Sequence, residues 1–388
     1  MFNKTSLQDW EALVQKQLKT DDIYSVLSKE NLEQISVKPY YGSAPKSLPN
    51  LPKIEESTQL VSRYSEDLEE DVFAFLLDTN VENLVEKVIF VNNKDLAEHI
   101  LVDETNRYIS LVDVFSDDQH GVIDEQLAKE LLAKNFGRNI CIDVSLHQNA
   151  GASISQQLAF ALGKTKDLTE LFGSEILKNL SFRFAVGANY FFEIAKLRAF
   201  KLLFNQFSKE FGLDEFPYIF AETSLRNKSK SDPENNLIRS TLELSAAMLG
   251  GADAVFSHDF RIGAETSLSE EISFKQQIVL AYESIINVFD DAGNGSYYVE
   301  DITRQLAEKA WALFLEVEEK GGYAENLRTG NIQKMISEHA VEEQNWVAEG
   351  KIKLIGVNLY PKHEITKNVE AMYDPAVIKP VRLSEMFE

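Results

Sequence analysis

Between residues 60 and 265 short apolar runs alternate with stretches whose apolar residues recur every three or four positions. The runs are Leu60–Tyr64, Val72–Leu77, Lys87–Val91, Tyr108–Val112, Ile140–Leu146, Leu180–Ala185, Pro217–Glu222 and Ala254–Ser257. Several are almost continuously apolar, as parallel strands covered on both faces must be. The three-to-four periodicity predicts helices over Ile123–Phe136, closed by Gly137, and over Ser153–Leu162, Tyr190–Glu210 and Asn235–Leu249. Asp232-Pro233 announces the last of these as N-cap and first-turn proline, and Gly250-Gly251 stops it. Eight strands alternating with helices predict a (β/α)8 barrel, with a doubly wound open sheet as the alternative architecture.

The flanks differ in texture. Ser6–Leu18 places Leu7, Trp10, Leu13, Val14 and Leu18 on one helical face, which has to dock on the protein's own body or on a partner. Residues 39–52 hold Pro39, Pro45, Pro49 and Pro52, four of the chain's nine prolines, and read as an extended arm. Beyond residue 265 the pattern is helical over Leu268–Asn287, Ile302–Lys320 and Asn331–Ala348, broken by Asp290–Ser296 and Gly321-Gly322, with a last short strand over Lys353–Val357. The organisation is an arm (1–58), an α/β barrel (59–265) and a helical extension with a linker-like tail (266–388).

Charge narrows the partners. Thirty-nine Lys+Arg against 62 Asp+Glu give a net charge of −23, which repels nucleic acid and anionic membrane. Cys141 is the only cysteine and falls inside a predicted strand, so it reads as a buried thiol, with neither a disulfide nor a thiolate metal cage available. The N-terminus has no signal-peptide core and no run reaches membrane-spanning length, so the chain reads as cytoplasmic.

Candidate chemistry gathers at Asn139–Ser155. A strand there feeds a helix through a polar cluster of Ser145, His147, Gln148 and Asn149, at the strand end where α/β proteins build active sites. Elsewhere the motifs are incomplete. GNGSYY at 293–298 has Tyr298 where a dinucleotide loop needs its third glycine, and no Walker lysine occurs. The six histidines form no HExxH or clustered ligand set, and Asp118-Gln119-His120 starts a DxHxxG motif that Ile123 interrupts. His258-Asp259 and Glu222 close two other strands and are candidate acid/base groups.

Several segments together resemble the adenosylcobalamin-dependent methylmalonyl-CoA mutases: Asn149-Ala150-Gly151-Ala152, Val186–Arg198 (VGANYFFEIAKLR), Asn236–Gly251, Asp291–Glu300 (DAGNGSYYVE) and Gly321–Tyr360 with its Ile355-Gly356-Val357-Asn358, in the family's order and spacing. The resemblance implies a barrel that holds acyl-CoA, with a separate cobalamin domain in catalytic subunits. Aligned on Ala-Gly-Ala, the family's active-site Tyr-His pair falls on Ser145 and Leu146. In a strand, His147 would face away from Leu146 and could not stand in for that histidine. The family's substrate-binding arginine falls on Asn179. Its serine is kept as Ser181, and its phenylalanine two residues on becomes Arg183. Its arginine, histidine and glutamine on the next strand fall on Tyr218, Phe220 and Glu222, and a further glutamine on Asp253. Glu222 and Asp253 would repel a ligand's phosphates or carboxylate.

By resemblance the fold-building segments persist while the site is degenerate, and no cobalamin domain is recognised. The expected function is therefore the non-catalytic small subunit of a heterodimeric mutase. Its partner would be the large catalytic subunit, which carries adenosylcobalamin. Trp10, Leu13, Tyr40 and Tyr41 are the expected partner-wrapping residues. Two other readings stay open. One is a stand-alone barrel enzyme using Glu222, Asp253, His147 and His258, which requires those groups to converge on an open cavity. The other is a homodimeric scaffold. A filled barrel axis favours the subunit reading.

Overall fold

In the structure, a computed structural model, residues 5–42, 48–66, 72–115, 120–361 and 372–388 are described. The middle of the Pro-rich arm, Asp118-Gln119 and His363 lie outside them. The strands are β1 (Gln59–Arg63), β2 (Ala74–Leu77), β3 (Val88–Val91), β4 (Arg107–Ser110), β5 (Ile140–Asp143), β6 (Leu180–Val186), β7 (Tyr218–Thr223) and β8 (Ala254–Phe256). The helices are α1 (Leu7–Leu18), α2 (Ile23–Leu27), α3 (Lys94–His99), α4 (Glu125–Leu132), α5 (Ser145–Ala150), α6 (Ile154–Phe172), α7 (Tyr190–Lys209), α8 (Pro233–Leu249), α9 (Ser267–Ile278), α10 (Tyr297–Glu319), α11 (Gly322–Arg328) and α12 (Asn331–Ala348).

All strand pairs are parallel, in the order β4-β3-β2-β1-β8-β7-β6-β5. β1 pairs with both β2 and β8, which rules out the open doubly wound sheet. β4 and β5 meet through a single bridge, Ile109 to Arg138, and through bonds from Ser110 N to Arg138 O and Cys141 N to Val112 O, both 2.9 Å. The result is a nearly closed (β/α)8-type barrel.

Alternation sorts the strand residues. On β6, Phe182 and Phe184 point outward onto Phe200 of α7, with ring centres 4.7 and 4.9 Å apart, while Ser181 and Arg183 point inward. α10 lies over α6 and α7, so α7 is covered on two sides and buries Glu193, Lys196, Arg198 and Lys201 besides its apolar residues. Arg198 is matched there by Asp291 at 2.6 Å.

Several sequence expectations are corrected. The strand expected over Ile140–Leu146 stops at Asp143, because the Asp143 carboxylate accepts the Ser145 amide at 2.7 Å and turns the chain into α5. The helix expected over Ser153–Leu162 continues to Phe172: Gly163 lets Tyr323 approach closely, and buried Lys164 is neutralised by Asp113 at 2.6 Å. The helix expected over Ile123–Phe136 spans only Glu125–Leu132, capped by Asp124. α8 starts at Pro233 as expected, but the Asp232 side chain bonds the Asn235 amide group and not the helix backbone. α9 gives way at Val279–Glu283 to a π turn, and α10 begins at Tyr297, capped by Ser296. No strand forms at Lys353–Val357. The Asn358 side chain binds Leu354 N, Val347 O and Ile352 O and folds that segment into a loop.

The arm is only partly free. Glu33 caps α6, accepting from Ile154 N at 2.6 Å, and residues 51–58 run across the N-terminal end of the barrel. α1, held by a Ser6–Asp9 capping box, buries none of its residues.

Candidate functional site

The barrel interior is packed in tiers. At the N-terminal end lies Tyr218, fully buried, with the Arg107 and Arg138 guanidinium groups each 5.9 Å from its ring centre. In the middle, Phe220 stands 5.1 Å from Phe90 and 6.5 Å from Phe256, with Val61, Leu76 and Leu111 filling in around them. At the C-terminal end, Arg183 crosses the mouth. Its Nε and Nη2 donate to Glu222 at 2.8 and 2.5 Å, its Nη1 donates to Asn92 at 2.9 Å, and its guanidinium lies 5.8 Å over the Phe220 ring. His258 approaches the other Glu222 oxygen at 3.4 Å. Burial pushes the Glu222 carboxyl upward, but Arg183 and then His258 outweigh it and hold it at about 2. Burial raises the Asp143 carboxyl, which lies 3.9 Å from Arg183.

The sequence-nominated residues divide between the two ends of the barrel. Arg183, Phe220 and Glu222 meet at or near the C-terminal mouth, and His258 joins them. Asn179, Tyr218 and Asp253 precede or open their strands and lie at the N-terminal end. There Asp253 accepts the backbone amides of Ile54, Glu55 and Ile219 at 2.6, 2.9 and 2.7 Å. Its charge is spent on backbone donors, so it faces no ligand. Ser181 is fully buried and donates to Ser110 O at 2.8 Å. The Asp259 carboxylate is taken by Ser269, so His258 pairs with Glu222 and not with its neighbour.

The polar cluster of Ser145, His147, Gln148 and Asn149 leaves the axis altogether. Because Ser145–Ala150 is helical, successive side chains turn by about 100° and the strand-parity argument for His147 no longer applies. His147 is buried between α6 and α11, its Nε2 2.8 Å from the Tyr323 hydroxyl and its ring beside Phe160, and burial holds its pKa well below the usual value. Ser145 is buried, and Leu146 packs on the outer core. Gln148 accepts from Gln157 and lines a cavity of about 490 Å³ with Phe192, Arg226 and Trp346. Lys164, Asp113 and Asn92 support the mouth, although no motif marked them.

Two further cavities open at the mouth. One of about 790 Å³ runs along β1, β8 and α9 and reaches His258, and one of about 700 Å³ lies above β3–β5 and reaches Asp143 and Arg183. Among the described residues no group of three or more His, Cys, Asp or Glu side chains could hold a metal ion, and no helix is long and apolar enough to cross a membrane.

A sequence model of methylmalonyl-CoA mutase matches residues 132–386, more than half of the chain. The chain belongs to the methylmalonyl-CoA mutase family. It is 34% identical over 250 residues to the methylmalonyl-CoA mutase of Rhizobium meliloti, an alignment covering 61% of this chain and 35% of that protein. It is 33% identical over 227 residues to the methylmalonyl-CoA mutase small subunit of Porphyromonas gingivalis, covering 55% and 37%. It is also 33% identical over 259 residues to the large subunit from the same organism, covering 61% and 35%. The chain thus spans about a third of the length of the curated relatives it matches.

A mutase barrel that works on acyl-CoA needs room along its axis, and a corrin needs an open floor above it. Here the axis is occupied by Phe90, Phe220 and Phe256, and the floor is the Arg183–Glu222 ion pair. Along the axis itself the described residues leave no room for an acyl chain.

Proposed function

We propose that this chain is the non-catalytic small subunit of a heterodimeric adenosylcobalamin-dependent methylmalonyl-CoA mutase. In this reading the large subunit carries substrate and cofactor, in the cytoplasm, and interconverts (R)-methylmalonyl-CoA and succinyl-CoA. The observation that carries the reading is the filled axis: phenylalanines occupy the path of an acyl chain, and a charge-matched ion pair closes it. The surface left at the N-terminus supports a partner as well. α1 exposes Leu7, Leu13 and Leu18, and Trp10 stacks on Tyr40 at 5.6 Å without being buried by the body of the protein. Tyr41 instead packs on Tyr298, 5.3 Å away.

The stand-alone enzyme reading draws on the Glu222–His258 contact beside the 790 Å³ cavity. Of its four nominated groups, however, Asp253 lies at the opposite end of the barrel and His147 outside it. A homodimeric scaffold would have to bring together two chains of net charge −23.

The test is to assay mutase activity of the chain, of the large subunit and of their mixture, each with adenosylcobalamin. The subunit reading expects no turnover from this chain alone and full activity only in the mixture; turnover by this chain alone overturns it. Because residues 51–58 are tied to the barrel, the arm is tested by removing residues 1–28 only, with weaker heterodimer association expected.

A further inference from the structure

The outer layer of a barrel is ordinarily polar where its helices meet solvent. At the turn that follows α9 it is not. Val279, Tyr282, Ile285, Val288 and Phe289 are 45–76% exposed within eleven residues, and Ile54 of the crossing arm joins them at 39%. Lys53 Nζ and Thr58 N both bond Asn287 O, which fixes the arm beside this turn. The backbone is unusual at the same place. α9 ends in a π turn over Val279–Glu283, and Ile285, a β-branched residue, has φ +54°. A β-branched side chain in that left-handed region is strained and persists only where surrounding structure imposes it. Solvent exposure of an isoleucine gives nothing back.

The rim of this patch is mostly acidic, since Lys275, one turn before Val279, is paired with Glu271. Glu56, Glu283 and Asp290 are exposed around it, and between Lys275 and Arg304 the chain has no lysine or arginine. An acidic rim around an apolar centre repels a second copy of this acidic chain and an anionic lipid surface. It fits a protein whose matching face is apolar and bordered by Lys and Arg. We propose that the α9–α10 turn with Ile54, at the N-terminal rim of the barrel, is a docking face for the large mutase subunit. This rests on the reading of the chain as a subunit of a heterodimer. It places a contact on the barrel itself, separate from the α1 arm.

The experiment measures the Kd between the full chain and the large subunit of the same source, by calorimetry and sedimentation, for wild type and for Tyr282→Glu/Val288→Glu. Leu101→Glu, an 88% exposed residue away from the turn, is the control. The replaced side chains are solvent-facing, so an unchanged thermal midpoint is expected and is checked first. The double variant should weaken binding at least about 30-fold, the loss expected on removing one central anchor of an interface. Wild-type affinity should fall as salt rises, and the control should bind like wild type. An unchanged Kd for the folded double variant overturns this docking face and leaves the subunit reading standing. Absence of any wild-type binding overturns both. Wild-type self-association abolished by the double variant overturns the choice of partner.

Discussion

Replacing Phe220 with alanine removes the central side chain of the barrel axis. Phe220 is fully buried, and its ring contacts Phe90 at 5.1 Å, Phe256 at 6.5 Å and the Arg183 guanidinium at 5.8 Å. A buried phenylalanine cut to alanine costs about 3–5 kcal/mol in lost transfer energy and residual cavity. The lost aromatic pairing and cation–π contact, worth about 0.5–1.5 and 0.5–1 kcal/mol, argue for the upper part of that range. The walls cannot close in, since they are strands fixed by their ladders. We therefore expect about 4–5 kcal/mol. At roughly 2 °C per kcal/mol for a chain of this size, that corresponds to a fall of about 8–10 °C in Tm. Urea unfolding followed by circular dichroism checks it, with an unchanged m-value as the control for a native barrel. Phe220→Leu, which keeps most of the volume, should lose only about 1–1.5 kcal/mol. A midpoint for Phe220→Ala within about 1 kcal/mol of wild type would falsify the packed axis and, with it, the main support for a non-catalytic barrel.

Three other outcomes follow from the same geometry. Gly151 has φ +100°, and a Cβ there would sit 2.5 Å from the Ala340 Cβ and 2.7 Å from Arg226 Nη2, so Gly151→Ala should cost about 3 kcal/mol in urea unfolding. Asp253→Ala strands three backbone donors, for a loss of about 3 kcal/mol, and amide exchange should quicken first at residues 51–58. Burial, then Asp167, raises the half-buried Glu318 to about 7 from 4.5, so its contribution to stability is present below pH 4.5 and lost as pH rises through about 7. Glu318→Gln should therefore stabilise the protein at pH 8, by on the order of 1 kcal/mol after solvent screening, with little change at pH 5; equal urea midpoints for the two proteins at pH 8 would count against it.

The barrel was legible because its strands are apolar on both faces, and the long helices because their periodicity is strong. The errors fall where a polar side chain decides the backbone. Asp143 ends β5 by accepting the Ser145 amide, and Asn358 turns an apolar run into a loop; neither effect has a signature in hydropathy. α6 ran further than expected because Lys164, which reads as a surface residue, is buried against Asp113. The site was legible in its residues but not in its heights. Tyr218, Phe220 and Glu222 were expected on one strand, as β7 shows, and their alternation puts them on one face. That Asp253 opens its strand while Glu222 nearly closes its own is a matter of strand stagger, which no single sequence displays. The alternation argument for His147 failed for a related reason, since it assumed a strand where the chain had already become a helix.

The packing of the axis has an energetic logic. A barrel that admits an acyl chain must leave its centre unpacked until ligand arrives, giving up the burial that the same side chains could provide. Phe90, Phe220 and Phe256 recover that burial, each contributing about 1.5–3 kcal/mol as a buried aromatic. Isolated, the Arg183 charge at the mouth would oppose this, because an unpaired buried cation costs several kcal/mol. Glu222 removes the penalty by accepting two guanidinium donors on its Oε2, and Asn92 takes a third donor. Arg183 and Glu222 are thus energetically coupled: either one alone in this axis would leave a buried charge, and together they close it. A site that kept an acid/base role would need one of these groups free to exchange a proton near neutral pH. Glu222, held at about 2 with two Arg183 donors on one oxygen and His258 3.4 Å from the other, is the opposite of that: its charge is committed to holding the barrel shut.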